Sequence, residues 1–332
     1  MQKVTILGDG GWGTTLAILL AHKGFQVCLW GAFEENINRI HKRGVNDKFL
    51  PGIRVPSSIK LTSDLSAAIS DAQVIILAVP SQFIRQVVRR IAPLKKAGVP
   101  LVSVIKGIET KTLRRMSEVI YQELGRRLKL AVLSGPTIAL EVAQGIPTTA
   151  VVAATDKSLA QALQHMFITD RFRVYTNSDV IGVELGGSLK NIIAIACGIS
   201  DGLGFGTNTK AALLARGLAE MSRLGIVMGA KKETFSGISG LGDLVTTCIS
   251  LQSRNRFVGE QIGKGKKLKD ILSHMNMVAE GVPTAKAGYL LSRKYKVAMP
   301  ITEQVYNVLY KNKNPLKAVN DLMRREKKAE IS

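Results

Sequence analysis

Lys190 is the residue in this 332-residue chain whose surroundings most suggest chemistry. The run Val183-Glu184-Leu185-Gly186-Gly187-Ser188-Leu189-Lys190-Asn191 sets three small residues ahead of the lysine, and an apolar run, 192–197, follows. Small side chains let a ligand or another backbone come close, and a buried helix leaves the ammonium poorly hydrated. Both effects suit it to proton transfer or substrate contact. The structural alternative is a solvated lysine on a helix whose glycines serve packing. Two further clusters fit the same site. Residues 236–243 read Ser-Gly-Ile-Ser-Gly-Leu-Gly-Asp, a glycine-rich loop that delivers the carboxylate of Asp243 or, equally, caps the next helix. Ser253-Arg254-Asn255 sets a planar guanidinium between two neutral hydrogen-bonding groups, which suits phosphate, with a surface ion pair as the alternative for Arg254. His22, His41, His165 and His274 lie outside every such cluster, so lysine is the expected acid–base group.

Near the N-terminus Gly8-Asp9-Gly10-Gly11-Trp12-Gly13 forms a G-x-G-x-x-G run directly after a strand-like segment. Gly8 permits a tight turn, Gly10 lets backbone approach a pyrophosphate, and Gly13 allows helix to pack on strand. The helix that follows offers its free N–H groups to the anion. Position within a βαβ unit makes this a dinucleotide fingerprint rather than a plain glycine turn. Strand two ends in Trp30-Gly31-Ala32, with acids only at Glu34 and Glu35 and no arginine at the tip, so NAD and NADP both stay open.

Elements must position these groups. Strands are expected at 4–7, 26–30, 60–62, 74–79, 101–105, 130–133 and 150–153, several of them apolar without alternation, as in parallel strands buried on both faces. Helix patterns at 13–23, 34–42, 83–91, 113–124 and 158–166 lie between them. The fold class expected is α/β, with an N-terminal Rossmann-like, mostly parallel sheet over residues 1–176. Beyond it strand signals fade, and helices are expected at 180–200, 209–228, 256–262, 268–275, 284–293 and 301–309, giving an all-helical C-terminal part over 177–332. Asn177 and Ser178 offer caps for the first of these helices, and Asn208 for the second. The polar tail 324–332 is expected to fray.

Bulk properties narrow the class. Length alone suggests two domains at roughly 150 residues each. Hydrophobic residues make up 46% and charged residues 21%, ordinary values for a globular chain. No apolar run approaches the ~20 residues of a membrane span. The N-terminus enters a strand at once, without a charged-then-apolar leader, so no stable membrane insertion is expected and a cytoplasmic place is. Cys28, Cys197 and Cys248 are odd in number and lack metal-type spacing, so packing thiols and no metal are expected. The net charge of +21 invites a nucleic-acid partner. The basic residues are scattered, however, and aromatic residues are only 5%. A positive field that attracts small phosphorylated anions fits better than nucleic acid.

These residues resemble the bacterial-type NAD(P)-dependent glycerol-3-phosphate dehydrogenase family over nearly the whole chain. The resemblance runs through blocks in order: 8–17, 43–52 (RGVNDKFLPG), 79–82 (VPSQ), 106–109 (KGIE), 133–141 (LSGPTIALE), 175–216, 237–248, 253–256 (SRNR), 278–286 and 299–309. It implies reversible reduction of dihydroxyacetone phosphate to sn-glycerol 3-phosphate with NADH or NADPH, which supplies the glycerophospholipid backbone. It makes Lys190 the proton acceptor in oxidation and the donor in reduction. Lys106, Gly135, Thr137, Asp243, Ser253, Arg254 and Asn255 become substrate contacts, the last two gripping the phosphate. Gly8, Gly10, Gly11, Trp12, Gly13, Lys106, Ala139, Arg254, Val278 and Glu280 become cofactor contacts. Asp243 is expected to balance and orient Lys190.

The chain departs from the family in having Gly11 where serine is frequent, and Ala32 where a basic residue is frequent. The second departure weakens any preference for NADP. A β-hydroxyacid dehydrogenase shares the Gly-x-x-x-Lys helix, Gly186 to Lys190 here, but its usual asparagine four residues on is Ala194. A non-catalytic nucleotide sensor is a further alternative. Assembly is not fixed by the sequence, a homodimer being one option.

Overall fold

The structure is a computed structural model, and it describes residues 2–327 and 329. The parts of the expected tail at 328 and 330–332 lie outside the described residues. Among the described residues eight strands form one sheet: β1 (Lys3–Leu7), β2 (Gln26–Trp30), β3 (Lys60–Thr62), β4 (Val74–Leu77), β5 (Leu101–Ser103), β6 (Leu130–Ser134), β7 (Thr148–Ala153) and β8 (Phe172–Asn177). Their order is β3-β2-β1-β4-β5-β6-β7-β8, parallel throughout except where β7 meets β6. The chain runs outward from β1 to β3, then returns to β4 on the other side of β1. That reversal opens a crevice at the carboxyl ends of β1 and β4, where doubly wound sheets bind ligands.

The strands fold as they do because both faces are covered. Val74, Ile75, Ile76 and Leu77 are all buried, with Val74 and Ile76 in the apolar core of one face and Ile75 and Leu77 in that of the other. The β6–β7 connection carries only the five-residue helix Ala139–Ala143. It stays at the carboxyl end of β6, so β7 must run back antiparallel. The helix Lys157–Phe167 then crosses the sheet and makes β8 parallel to β7.

β8 was not among the expected strands. It is the sheet's edge, where Phe172 and Val174 face inward while Arg173 and Tyr175 are exposed, and this weak alternation holds no apolar run. Caps also differ. Asp179, not Asn177 or Ser178, caps the helix Val180–Gly202 by accepting the N–H of Gly182. The next helix, Thr207–Val227, has Gly206 at its N-cap and no side-chain cap from Asn208. The expected helix at 113–124 starts later, at Met116, because Leu113 has left-handed backbone. The short helix Pro315–Met323 was not expected.

Helix Val180–Gly202 organises the C-terminal half. Every residue from Gly182 to Ser200 is buried, so the helix shows no polar face. It is long and apolar enough to cross a membrane by composition alone, but here it is a core element with most of its surface buried in protein. Each fully buried leucine or isoleucine contributes about 1.5–3 kcal/mol. Glycines set how close its neighbours come. A Cβ on Gly198 would lie 2.0 Å from the Arg256 carbonyl oxygen, and one on Gly259 2.1 Å from that of Ile195. The helix Arg254–Gly263 therefore packs backbone to backbone against it, bringing Asn255 alongside Asn191.

Candidate active site

The fingerprint folds as its glycines require. Gly8 has φ +124°, and a Cβ there would meet the Ala78 carbonyl carbon and oxygen at 2.7 Å, so β1 turns tightly against the end of β4. A Cβ on Gly13 would lie 1.9 Å from the Gly8 carbonyl oxygen. Gly10 faces open space, and the helix Gly11–His22 that it starts has no side-chain cap. Its first N–H groups are thus left free beside an open cradle, the arrangement that holds a pyrophosphate. The residues present fit a dinucleotide. Ala139 packs near Gly11, and the Ala139 carbonyl accepts the Thr15 hydroxyl at 3.0 Å. The Trp12 indole N–H is buried without a partner. Ala139 therefore borders the cradle beside Gly11, while the Trp12 ring leans toward Phe172.

Carboxyl ends of β5 and β6 supply the next wall. Lys106, three residues beyond β5, donates from Nζ to the Gly135 carbonyl at 2.7 Å, to Asp243 Oδ2 at 2.7 Å and to Thr137 Oγ1 at 3.2 Å. Lys190 is buried at 5% exposure, and its Nζ donates to Asp243 Oδ1 and Thr247 Oγ1. One carboxylate thus holds both ammonium groups. Burial pushes the Lys190 pKa down from its usual value to about 8, with Asp243 opposing the shift and Lys106 adding to it. A π-helical turn, Ile238–Gly242, delivers Asp243 to this point. Gly186 lets that turn approach, since a Cβ there would meet the Ser239 carbonyl oxygen at 2.6 Å. The capping alternative for Asp243 is thereby displaced: it is the first residue of helix Asp243–Ile249, and its carboxylate is spent on lysines.

Asn191 and Asn255 link this centre to the third wall. Asn191 Nδ2 donates to the Lys106 carbonyl at 3.1 Å, and Asn255 Nδ2 donates to Asn191 Oδ1 at 2.8 Å. Asn255 Oδ1 accepts the N–H of Gly281 at 2.8 Å. Ser253 is the N-cap of its helix, its oxygen accepting the N–H of Arg256 at 3.3 Å. Arg254 is exposed and donates from Nη1 to the Val278 carbonyl at 2.8 Å, leaving most of its guanidinium fork open. Glu280 accepts the Ser81 N–H at 2.8 Å and the Ser81 hydroxyl, tying the segment that carries Val278 to the loop after β4. Burial raises the Glu280 pKa.

The expected residues thus fall into three adjoining groups: the fingerprint with Ala139, the Lys106–Asp243–Lys190 centre with Gly135 and Thr137, and Arg254 with Asn255, Val278 and Glu280. Sequence reading gave no role to Ser81, Asn191 or Thr247. Thr247 lies one helical turn beyond Asp243 and Asn191 is next to Lys190, so spacing from the named residues is the signal that finds them. All four histidines are exposed. The three cysteines are buried thiols, with the Cys28 pKa pushed up by burial and that of Cys248 by contact with Cys197 and by burial.

Comparison with known proteins agrees with this geometry. Residues 3–160 match the family described as NAD-dependent glycerol-3-phosphate dehydrogenase N-terminus, and residues 179–320 match its C-terminus. A glycerol-3-phosphate dehydrogenase (NAD(P)+) from Chlorobium limicola is 50% identical over 332 residues, 99% of this chain and 100% of its own. One from Geobacillus thermodenitrificans is 48% identical, covering 100% of this chain and 97% of its own. The crystal structure of glycerol-3-phosphate dehydrogenase from Coxiella burnetii superposes with a TM-score of 0.95 at 41% identity, over 98% of this chain and 99% of that one. By fold, by the match of both halves and by identity along its whole length, this chain belongs to the NAD-dependent glycerol-3-phosphate dehydrogenase family.

Proposed function

We propose that this chain reduces dihydroxyacetone phosphate to sn-glycerol 3-phosphate, reversibly, with Lys190 as the proton donor. The observation that carries the reading is the Asp243 carboxylate holding two lysines at the carboxyl edge of the sheet, beside an open cradle for a dinucleotide. When bound, the nicotinamide supplies or accepts the hydride at the substrate's C2. Gly8, Gly10, Gly11, Trp12 and Gly13 would hold its pyrophosphate side, and Ala139, Val278 and Glu280 border it.

Lys190 gives its proton to the C2 oxygen as negative charge develops there, and takes it back in the oxidative direction. Lys106 stabilises the same developing charge and is kept in place by Gly135 and Thr137. Arg254 and the unused N–H of Asn255 face the phosphate, with the Ser253 hydroxyl proton as a further donor. Asp243 keeps Lys190 oriented and offsets part of its burial.

The division we infer is a nucleotide-binding half, 1–176, and a helical half, 177–332, with substrate seated between them. A cytoplasmic place and a homodimer complete the reading, the latter testable by light scattering of the purified chain. The deciding assay follows loss of NADH absorbance with dihydroxyacetone phosphate and, in parallel, with a small β-keto acid. Turnover of the first alone is expected. Turnover of the keto acid alone would overturn the reading.

A further inference from the structure

The tip of β2 lacks the acid that commonly reads the adenosine ribose, yet a carboxylate stands there. It comes from the fingerprint itself. Asp9 is 9% exposed, and its Oδ2 accepts the Asn36 amide at 2.5 Å, on the helix Glu34–Arg43 that follows β2. A Cβ on Gly31, the residue just beyond β2, would lie 2.7 Å from Asp9 Cγ and Oδ2. The place a β2-terminal side chain would occupy is therefore filled by Asp9, and Gly31 is what makes room for it.

Three further features describe the surroundings of this carboxylate. Asn36 is itself held, its Oδ1 accepting Arg39 Nη2 at 2.6 Å, so its amide is turned toward Asp9. Arg39 is in turn paired with Asp47 at 3.3 Å, and Asp47 also takes Arg43 at 2.5 Å, so both guanidinium charges already have a carboxylate partner. Lys48 is the cation whose field reaches Asp9, and its ammonium lies 5.1 Å above the Phe49 ring. Asp9 Oδ1 takes no hydrogen bond from another residue among those described. The carboxylate's remaining contact is with its own backbone N–H.

We propose that Asp9 reads the adenosine ribose and makes this chain select NAD over NADP. A ribose 2′-hydroxyl donates to the open carboxylate oxygen. A 2′-phosphate in the same place sets negative charge against negative charge in a poorly hydrated corner, a repulsive element that excludes the wrong cofactor. Ala32, next beyond Gly31, adds no cation of its own there, and Arg39 is already paired with Asp47.

The proposal rests on the reading of this cradle as a nicotinamide-dinucleotide site, and calorimetric titration of the full chain, without ketone, separates the two. NADH is expected to bind more tightly than NADPH by about tenfold or more. Asp9→Asn keeps the side chain's size and removes its charge, so NADPH should approach NADH in affinity. Asp9→Ser is the second variant, with circular dichroism melting to show that each is folded. Equal binding of the two cofactors by the unaltered chain overturns the proposal and leaves the function intact. An unchanged preference in both folded variants overturns it as well. Failure of the unaltered chain to bind either dinucleotide removes this proposal and the proposed function together.

Discussion

Lys190 and Asp243 meet in a buried contact in which the carboxylate serves a second ammonium, that of Lys106, through its other oxygen. Two positive charges share one negative charge in a poorly hydrated place. On the proposed reading, the surplus positive charge is balanced by the oxyanion that develops on the substrate.

Replacing Lys190 with alanine should lower kcat for ketone reduction by about 10²–10⁴-fold. NADH binding, measured by fluorescence titration, should persist. Unaltered turnover in that variant would remove Lys190 from the chemistry.

Because the Lys190 pKa is pushed down to about 8, the two directions should respond oppositely to pH. Reduction needs the ammonium, so its kcat/KM falls as pH rises through about 8. Oxidation needs the neutral amine, so its kcat/KM rises through the same range. Parallel profiles in both directions would contradict this assignment.

Asp243→Asn leaves both lysines without a countercharge. Lys190 should then lose its proton more readily, moving the reductive limb to lower pH. Stability at pH 7 should fall by about 3 kcal/mol, and by less at pH 9 where a neutral Lys190 no longer needs the carboxylate. Urea unfolding at both pH values checks the difference.

Arg254→Ala should raise KM for dihydroxyacetone phosphate by about 10–100-fold, the worth of lost charged hydrogen bonds, with a smaller change in kcat. Steady-state kinetics at saturating NADH separates the two. An unchanged KM would return Arg254 to the role of a surface cation.

Gly8→Ala forces a side chain into a left-handed turn and against the Ala78 carbonyl. A loss of about 1–3 kcal/mol and weakened NADH binding are expected, read by thermal melting and titration.

The sequence made the sheet legible where strands are buried on both faces, as in β4, because an unbroken apolar run has few other uses. It hid β8, whose inward pair Phe172 and Val174 is diluted by charged and polar neighbours at the edge. Lys190 was visible because the glycines before it and the apolar run after it are local. The reach of Asp9 to the tip of β2 was not, since it depends on an empty position at Gly31, more than 20 residues away. Caps were misplaced by one or two residues for a similar reason. Asn177 spends its oxygen on the N–H of Asp179, leaving Asp179 to cap the helix.

The two buried asparagines have no freedom in which way round they sit. The Lys106 carbonyl can only receive and the Gly281 amide can only give, so the chain of amides between them reads in a single direction. An aspartate at either place would set oxygen against oxygen and break the join between the loop after β5 that carries Lys106 and the helix that starts at Gly281. This polarity keys the loop after β5 to the helices that carry Asn191 and Asn255. Two side chains thus join the backbone of Gly281 to that of Lys106.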